Sequence, residues 1–140
     1  MTCRWMIILP TALILAWMPA WADSAYPTVD ILSTGKTIMD EDIRYPVTGP
    51  AHVTASIVTI APGAETILHR HGAPLFAYVL DGMLTVDYGS KGKREFRPGE
   101  SFMEAMETPH RGTNTGTVPV RLLAVYMGAA GTSNVIIDKK

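Results

Sequence analysis

His69 and His71 are the residues whose type and spacing first suggest chemistry. They stand two apart in a stretch that reads as extended, and side chains on a strand alternate from face to face. Both imidazoles therefore leave one face, with Arg70 on the other, which is how a strand offers two nitrogen ligands to one metal ion. Taken alone, such a pair fits equally well with ordinary surface or core histidines. His110 lies in a separate stretch, and His52 opens an earlier strand as a partly exposed side chain. Other catalytic patterns are missing. Ser56, Ser90, Ser101 and Ser133 have no Gly-x-Ser-x-Gly elbow around them, and no glycine-rich phosphate loop precedes a helix. A single cysteine, Cys3, builds neither a disulfide framework nor a thiolate zinc site.

The scaffold that must position these histidines is legible in outline. A length of 140 residues suits one domain, and 47% hydrophobic against 18% charged residues supports a packed core rather than a disordered chain. The 12 basic and 13 acidic residues give a net charge of −1, so no phosphate-neutralising surface is available and nucleic-acid binding is excluded as a main role. No stretch of a dozen residues keeps a helical period, and Pro and Gly are frequent. His52 to Ile60 is a β-branched run, Leu75 to Leu80 is apolar on both faces, and Arg121 to Met127 repeats that pattern. Asp81-Gly82 predicts a type I′ hairpin turn into Leu84–Tyr88, Gly89-Ser90-Lys91-Gly92 turns the chain again, and Arg97-Pro98-Gly99 makes a third turn. Short strands at close spacing without helices predict an all-β sandwich or barrel. The basic run Lys91-Gly92-Lys93-Arg94 reads as a solvated turn.

Residues 1–22 read as a secretory signal peptide. Arg4 precedes a 13-residue apolar run from Met6 to Met18, and Ala20-Trp21-Ala22 supplies a small-x-small cleavage site. An uncleaved membrane anchor is the competing reading, but a spanning helix needs about 20 apolar residues and Pro10 interrupts this shorter run. Cleavage after Ala22 makes the protein exported, periplasmic or secreted, with no stable membrane anchor. Residues 23–50 are then an N-terminal extension with the first strands, 51–130 the barrel, and 131–140 a C-terminal tail.

Two longer patterns surround the histidines. From Gly63 to Gly82 the chain carries Gly63, His69, His71 and Gly82 at the spacing of the first motif of the cupin superfamily. From Gly99 to Asn114 it carries Gly99, His110 and Asn114 at the spacing of the second. Between about Thr54 and Tyr126 the chain thus resembles a small exported single-domain cupin. The resemblance implies a jelly-roll barrel, or double-stranded β-helix, in which His69, His71 and His110 bind one divalent metal. Imidazole ligands do not choose among Fe, Mn, Ni, Cu and Zn.

Two departures from the pattern matter. Leu75 stands where the family places a metal-binding glutamate, and Ala105-Met106-Glu107 replaces the Pro-x-Gly before the last histidine. Glu104 and Tyr78 are the candidates for further site residues, Glu104 as ligand, orienter or base and Tyr78 as a hydroxyl. Glu107 reads as an exposed turn residue. The implied activity is oxygenase or isomerase chemistry on a small chelating or anionic organic substrate. A non-enzymatic binding or sensing module, with or without metal, is the alternative, and fold does not decide between them. Strands apolar on both faces, together with the family's habit of pairing, imply a homodimer.

All three tryptophans, Trp5, Trp17 and Trp21, lie before the cleavage site. Exported protein should therefore begin at Asp23 and emit as tyrosine only. Tryptophan fluorescence, or an intact mass that includes residues 1–22, would overturn the cleavage.

Overall fold

The computed structural model describes residues 26–138, so the leader read at residues 1–22 lies outside the described residues. Nine strands follow in order: β1 (Ala51–Ile60), β2 (His69–Arg70), β3 (Leu75–Asp81), β4 (Leu84–Asp87), β5 (Lys93–Phe96), β6 (Ser101–Met103), β7 (Arg111–Asn114), β8 (Val120–Ala129) and β9 (Ile136–Ile137). Their antiparallel pairing makes a four-stranded sheet in the order β1-β8-β3-β6, a three-stranded sheet β5-β4-β7, and a small sheet β2-β9. This is the all-β jelly-roll sandwich that the sequence predicts.

The core lies between the two larger sheets. Along β3, Leu75, Ala77 and Val79 point inward while Phe76, Tyr78 and Leu80 are half-buried on the outer side, the period-two alternation of a strand. Val86 of β4 meets them from the facing sheet, Val120 of the adjacent strand β8 joins the same core, and Phe96 stacks on Phe102 with ring centroids 3.7 Å apart. Each buried leucine, valine or phenylalanine of this set contributes on the order of 1.5–3 kcal/mol. Tyr78, read as a candidate site hydroxyl, is on the wrong face: three residues beyond the inward Leu75, it has the opposite parity.

The turn at Asp81-Gly82 also differs from expectation. It makes no hairpin, because β3 and β4 belong to different sheets and the chain crosses between them there. Gly82 alone takes a positive φ, of 75°, and a Cβ on it would lie 2.7 Å from the Pro119 carbonyl oxygen and 2.8 Å from the Val120 Cα. Glycine is required by that close backbone approach, not by a type I′ turn. The two turns after it form as predicted: β4 and β5 pair across Gly89–Lys91, and Gly99 adopts φ 91°.

Both ends of the described chain do more than expected. Residues 26–50 contain no strand, only an isolated bridge between Lys36 and Asp42. That bridge closes a tight hairpin in which Thr37 N–H donates to the Glu41 carbonyl at 2.9 Å and Asp40 sits at φ 63°. Ile38 N–H donates to the Met103 carbonyl at 2.8 Å, docking the hairpin on β6. From there the Glu41 carboxylate accepts the N–H groups of Met106 at 2.7 Å, Glu107 at 3.2 Å and Thr108 at 2.8 Å. The segment read as a tail returns to pair β9 with β2 and packs so closely that a Cβ on Gly72 would collide with the Ser133 carbonyl.

Partial burial of Glu41 works to raise its pKa, but the hydrogen bonds from Thr108, Met106 and Glu107 outweigh it and hold the carboxyl below its ordinary value of 4.5. A native pKa below the unfolded one contributes stability above the ordinary value, and that contribution is lost as pH falls through the lower native value. Urea unfolding between about pH 6 and pH 3 should show this acid loss, and Glu41→Gln should flatten it. An unchanged pH profile in the variant would contradict the assignment.

Candidate metal centre

The two histidine segments are joined by backbone before their side chains meet. Residues 63–69 run antiparallel to β7, with Gly63 N–H donating to Asn114 at 3.0 Å and Thr66 N–H to Gly112 at 2.8 Å. The ladder ends in a reciprocal pair: His69 N–H donates to the His110 carbonyl at 3.0 Å and His110 N–H to the His69 carbonyl at 2.9 Å. Directly opposed residues share a face. His71, two residues along, has the parity of His69, so all three rings converge, with centroids 4.6–5.1 Å apart. One ligand nitrogen from each lies within 4.8 Å of the others. Asn114, fully buried, secures the far end of β7 by donating to the carbonyls of Ile60 and Val118 and accepting from Gly116.

Each ring is oriented by the main chain. The Nδ1 atoms of His69, His71 and His110 lie 2.8, 2.9 and 2.9 Å from the carbonyl oxygens of Ile67, Asn134 and Thr108. A carbonyl only accepts, so each Nδ1 carries the proton and each Nε2 presents a bare lone pair. Two of those lone pairs, on His71 and His110, face each other at 3.3 Å. They repel unless a positive centre lies between them, and the donor set therefore fits a metal ion. Burial keeps the rings neutral: it lowers His69 and His110 from the usual imidazole value and takes His71 down to about 3.

Glu104 does reach this cluster. It follows β6 directly, its N–H donates to the Leu75 carbonyl at 2.9 Å, and it is only 5% exposed. Oε1 accepts the Tyr88 hydroxyl and the Ala105 N–H, both at 2.7 Å, while Oε2 lies 3.8 Å from His110 Nε2. Burial raises its carboxyl to about 7, against the opposing pull of the Tyr88 and Ala105 hydrogen bonds. The Tyr88 hydroxyl is raised above its ordinary value by burial and by the neighbouring Glu104 charge. A carboxylate thus stands beside Leu75, on the adjacent strand's end, although position 75 itself carries none.

Sequence reading missed Tyr88, which alternation marks only as an inward strand residue, and the Asn134 carbonyl, which no side-chain pattern can reveal. Glu107 is exposed as expected, and Glu65 pairs with Arg111 at the surface.

The cluster forms the floor of a cavity of about 260 Å³ between the sheets. Its walls are apolar, including Val58, Leu84, Val86 and Leu122, with Ile67 and Val135 at the rim; Leu75 and Tyr126 also line it. Among the described residues, no lysine or arginine does. An apolar cavity with a few convergent polar groups is the usual form of a small-molecule site.

The cupin-domain family model matches residues 56–126, and the chain belongs to that family. Among solved structures, it is similar to the polyketide cyclase RemF from Streptomyces resistomycificus, at 19% identity and TM-score 0.55 over 79% of each chain. It is also similar to an oxalate decarboxylase from Lactobacillus farciminis in complex with formate, at 24% identity and TM-score 0.52 over 61% of this chain and 26% of that one. A DMSP lyase structure matches at 18% identity and TM-score 0.54, over 62% of this chain and 44% of that one. The chain spans less than half the length of the last two proteins, and likeness at such identities bears on the fold. No curated protein matches the chain in sequence.

Proposed function

We propose that this protein is an exported metal-binding cupin in which His69, His71 and His110 hold one divalent ion through Nε2. The carrying observation is the set of three Nδ1–H groups bonded to carbonyls, which leaves three lone pairs converging in an apolar-walled cavity. Three imidazoles suit Fe, Ni, Cu or Zn, and the nearby carboxylate extends the choice to Mn.

The cavity argues for the kind of molecule it takes. Its small volume and apolar walls favour a compact, mostly hydrophobic body with an oxygen or nitrogen donor at one end. With no wall cation, any negative charge on that molecule has to lie at its donor end, beside the histidines. When bound, the ion would act as a Lewis acid toward a coordinated oxygen. Glu104 Oε2 is the protein group placed to hold or pass a proton there, and Tyr88 keeps Oε1 fixed so that Oε2 faces the site. That pairing favours isomerase- or oxygenase-type chemistry over passive binding.

Elemental analysis of the native protein, followed by Zn²⁺ titration of chelator-treated protein, tests the reading. The native protein should bind about one ion per chain, and His71→Ala should weaken binding by at least about 100-fold while leaving the barrel folded. Failure of the native protein to bind any divalent ion would sink the proposal.

We further propose that the outer face of the four-stranded sheet pairs with a second copy. Register places Val53, Ala55 and Ile57 of β1 beside Met127, Val125 and Leu123 of β8, and Val53 and Ile57 are 62% and 51% exposed. This strip is uncharged and, among the described residues, lies at the β1 edge of the sheet, where the same strip of a second copy can cover it. Light scattering should give a dimer at micromolar concentration and a monomer for Ile57→Lys. A native monomer would refute it.

A further inference from the structure

The turn before His110 lacks the Pro-x-Gly of its family's second motif, yet it holds a defined shape against the metal centre. We propose that Glu41 is a positioning residue for that centre, its carboxylate standing in for the missing turn chemistry by gripping the backbone of residues 106–108. The proposal rests on the metal-binding reading of the three histidines.

Three successive N–H groups, those of Met106, Glu107 and Thr108, converge on the two Glu41 oxygens. The Thr108 hydroxyl donates to Oε1 as well, and the Thr37 hydroxyl donates to Oε2 at 3.3 Å. Consecutive peptide N–H groups turned toward one anion form a concavity that a carboxylate fills and stiffens. The consequence reaches two of the three rings. The carbonyl of Thr108 accepts the His110 Nδ1–H at 2.9 Å, and the carbonyl of Met106 accepts the His71 backbone N–H at 3.4 Å. The Lys91 ammonium adds a hydrogen bond to Thr108 Oγ1 at 2.8 Å.

Glu41 is presented by the N-terminal extension, which folds into its own hairpin and docks on the barrel. The Lys36–Asp42 ion pair at 2.6 Å and the Ile38–Met103 hydrogen bond fix the hairpin that presents it. Lys36, Ile38, Glu41 and Asp42 all lie outside residues 56–126, the part that matches the family, and only the Met103 acceptor on β6 lies inside it. The extension therefore supplies a part of the centre that the matched domain does not contain.

The test compares the native protein with Glu41→Gln and Thr108→Val. Glutamine turns an amide NH₂ toward N–H donors and breaks the convergence; valine removes the hydroxyl alone. Each protein is stripped of metal, and two signals are read: Zn²⁺ affinity by competition with a chromophoric chelator, and the imidazole Nδ1–H resonances by nitrogen-15 NMR. Glu41→Gln should weaken Zn²⁺ binding about tenfold, the range of groups that orient metal ligands. It should also shift or broaden the His110 Nδ1–H while the His69 Nδ1–H, bonded to Ile67, stays in place. Thr108→Val should move the same resonance by less, and it decides the matter if Glu41→Gln does not fold. An unmoved His110 resonance with native Zn²⁺ affinity overturns the proposal, as does an equal loosening of all three rings, which would mark general destabilisation. A native protein that binds no Zn²⁺ but loses the His110 signal in Glu41→Gln would instead sink only the metal reading.

Discussion

A histidine ring serves a fixed site only if it cannot turn, and here one N–H···O=C bond to the main chain stops each ring. The acceptors are the carbonyls of Ile67, Thr108 and Asn134. Two of them sit two residues before the ring they hold, so the local path of the chain orients His69 and His110. The third comes from the far end of the protein. The rest of the architecture can be understood as what is needed to set three carbonyls: a ladder between residues 63–69 and β7, a turn gripped by Glu41, and a C-terminal strand laid against β2.

Within the barrel, two effects oppose each other at Glu104. Leaving water disfavours the charged carboxylate, while the Tyr88 hydroxyl and Ala105 N–H favour it, and burial is the larger effect. A cation at the neighbouring nitrogens would reverse that balance, because a nearby positive charge stabilises the carboxylate directly. The same cavity that makes Glu104 protonatable therefore makes it responsive to what the histidines hold. Tyr88 restricts the response to one oxygen.

Much of the fold was legible because strands advertise themselves through alternation and turn residues: β1, β3 and β8 fall where β-branched and apolar runs predict them. The histidine cluster was legible for a different reason, since motif spacing carries the register of the strands that bring residues 69, 71 and 110 together. Alternation also had the information to reject Tyr78, whose parity is opposite to that of Leu75. What the sequence could not show are contacts that depend on backbone atoms or on distant segments. Gly82 resembles a hairpin glycine, but its role is set by Pro119 and Val120, which only the tertiary fold brings near. Glu41 and the segment around Asn134 carry no pattern at all, because most of what they bind is peptide groups. Any residue type could supply those.

The carbonyl that orients His71 belongs to Asn134, 63 residues further along the chain. A chain leaving a ribosome emerges in order, so His69, His71 and His110 are all available before that carbonyl is. Until residue 134 arrives and β9 zips onto β2, His71 has no fixed tautomer and the centre lacks its third defined lone pair. Long-range contacts of this kind form late, because the intervening loop must close first. Nascent molecules consequently present only a pair of oriented imidazoles, and the third is set when the last strand is laid down.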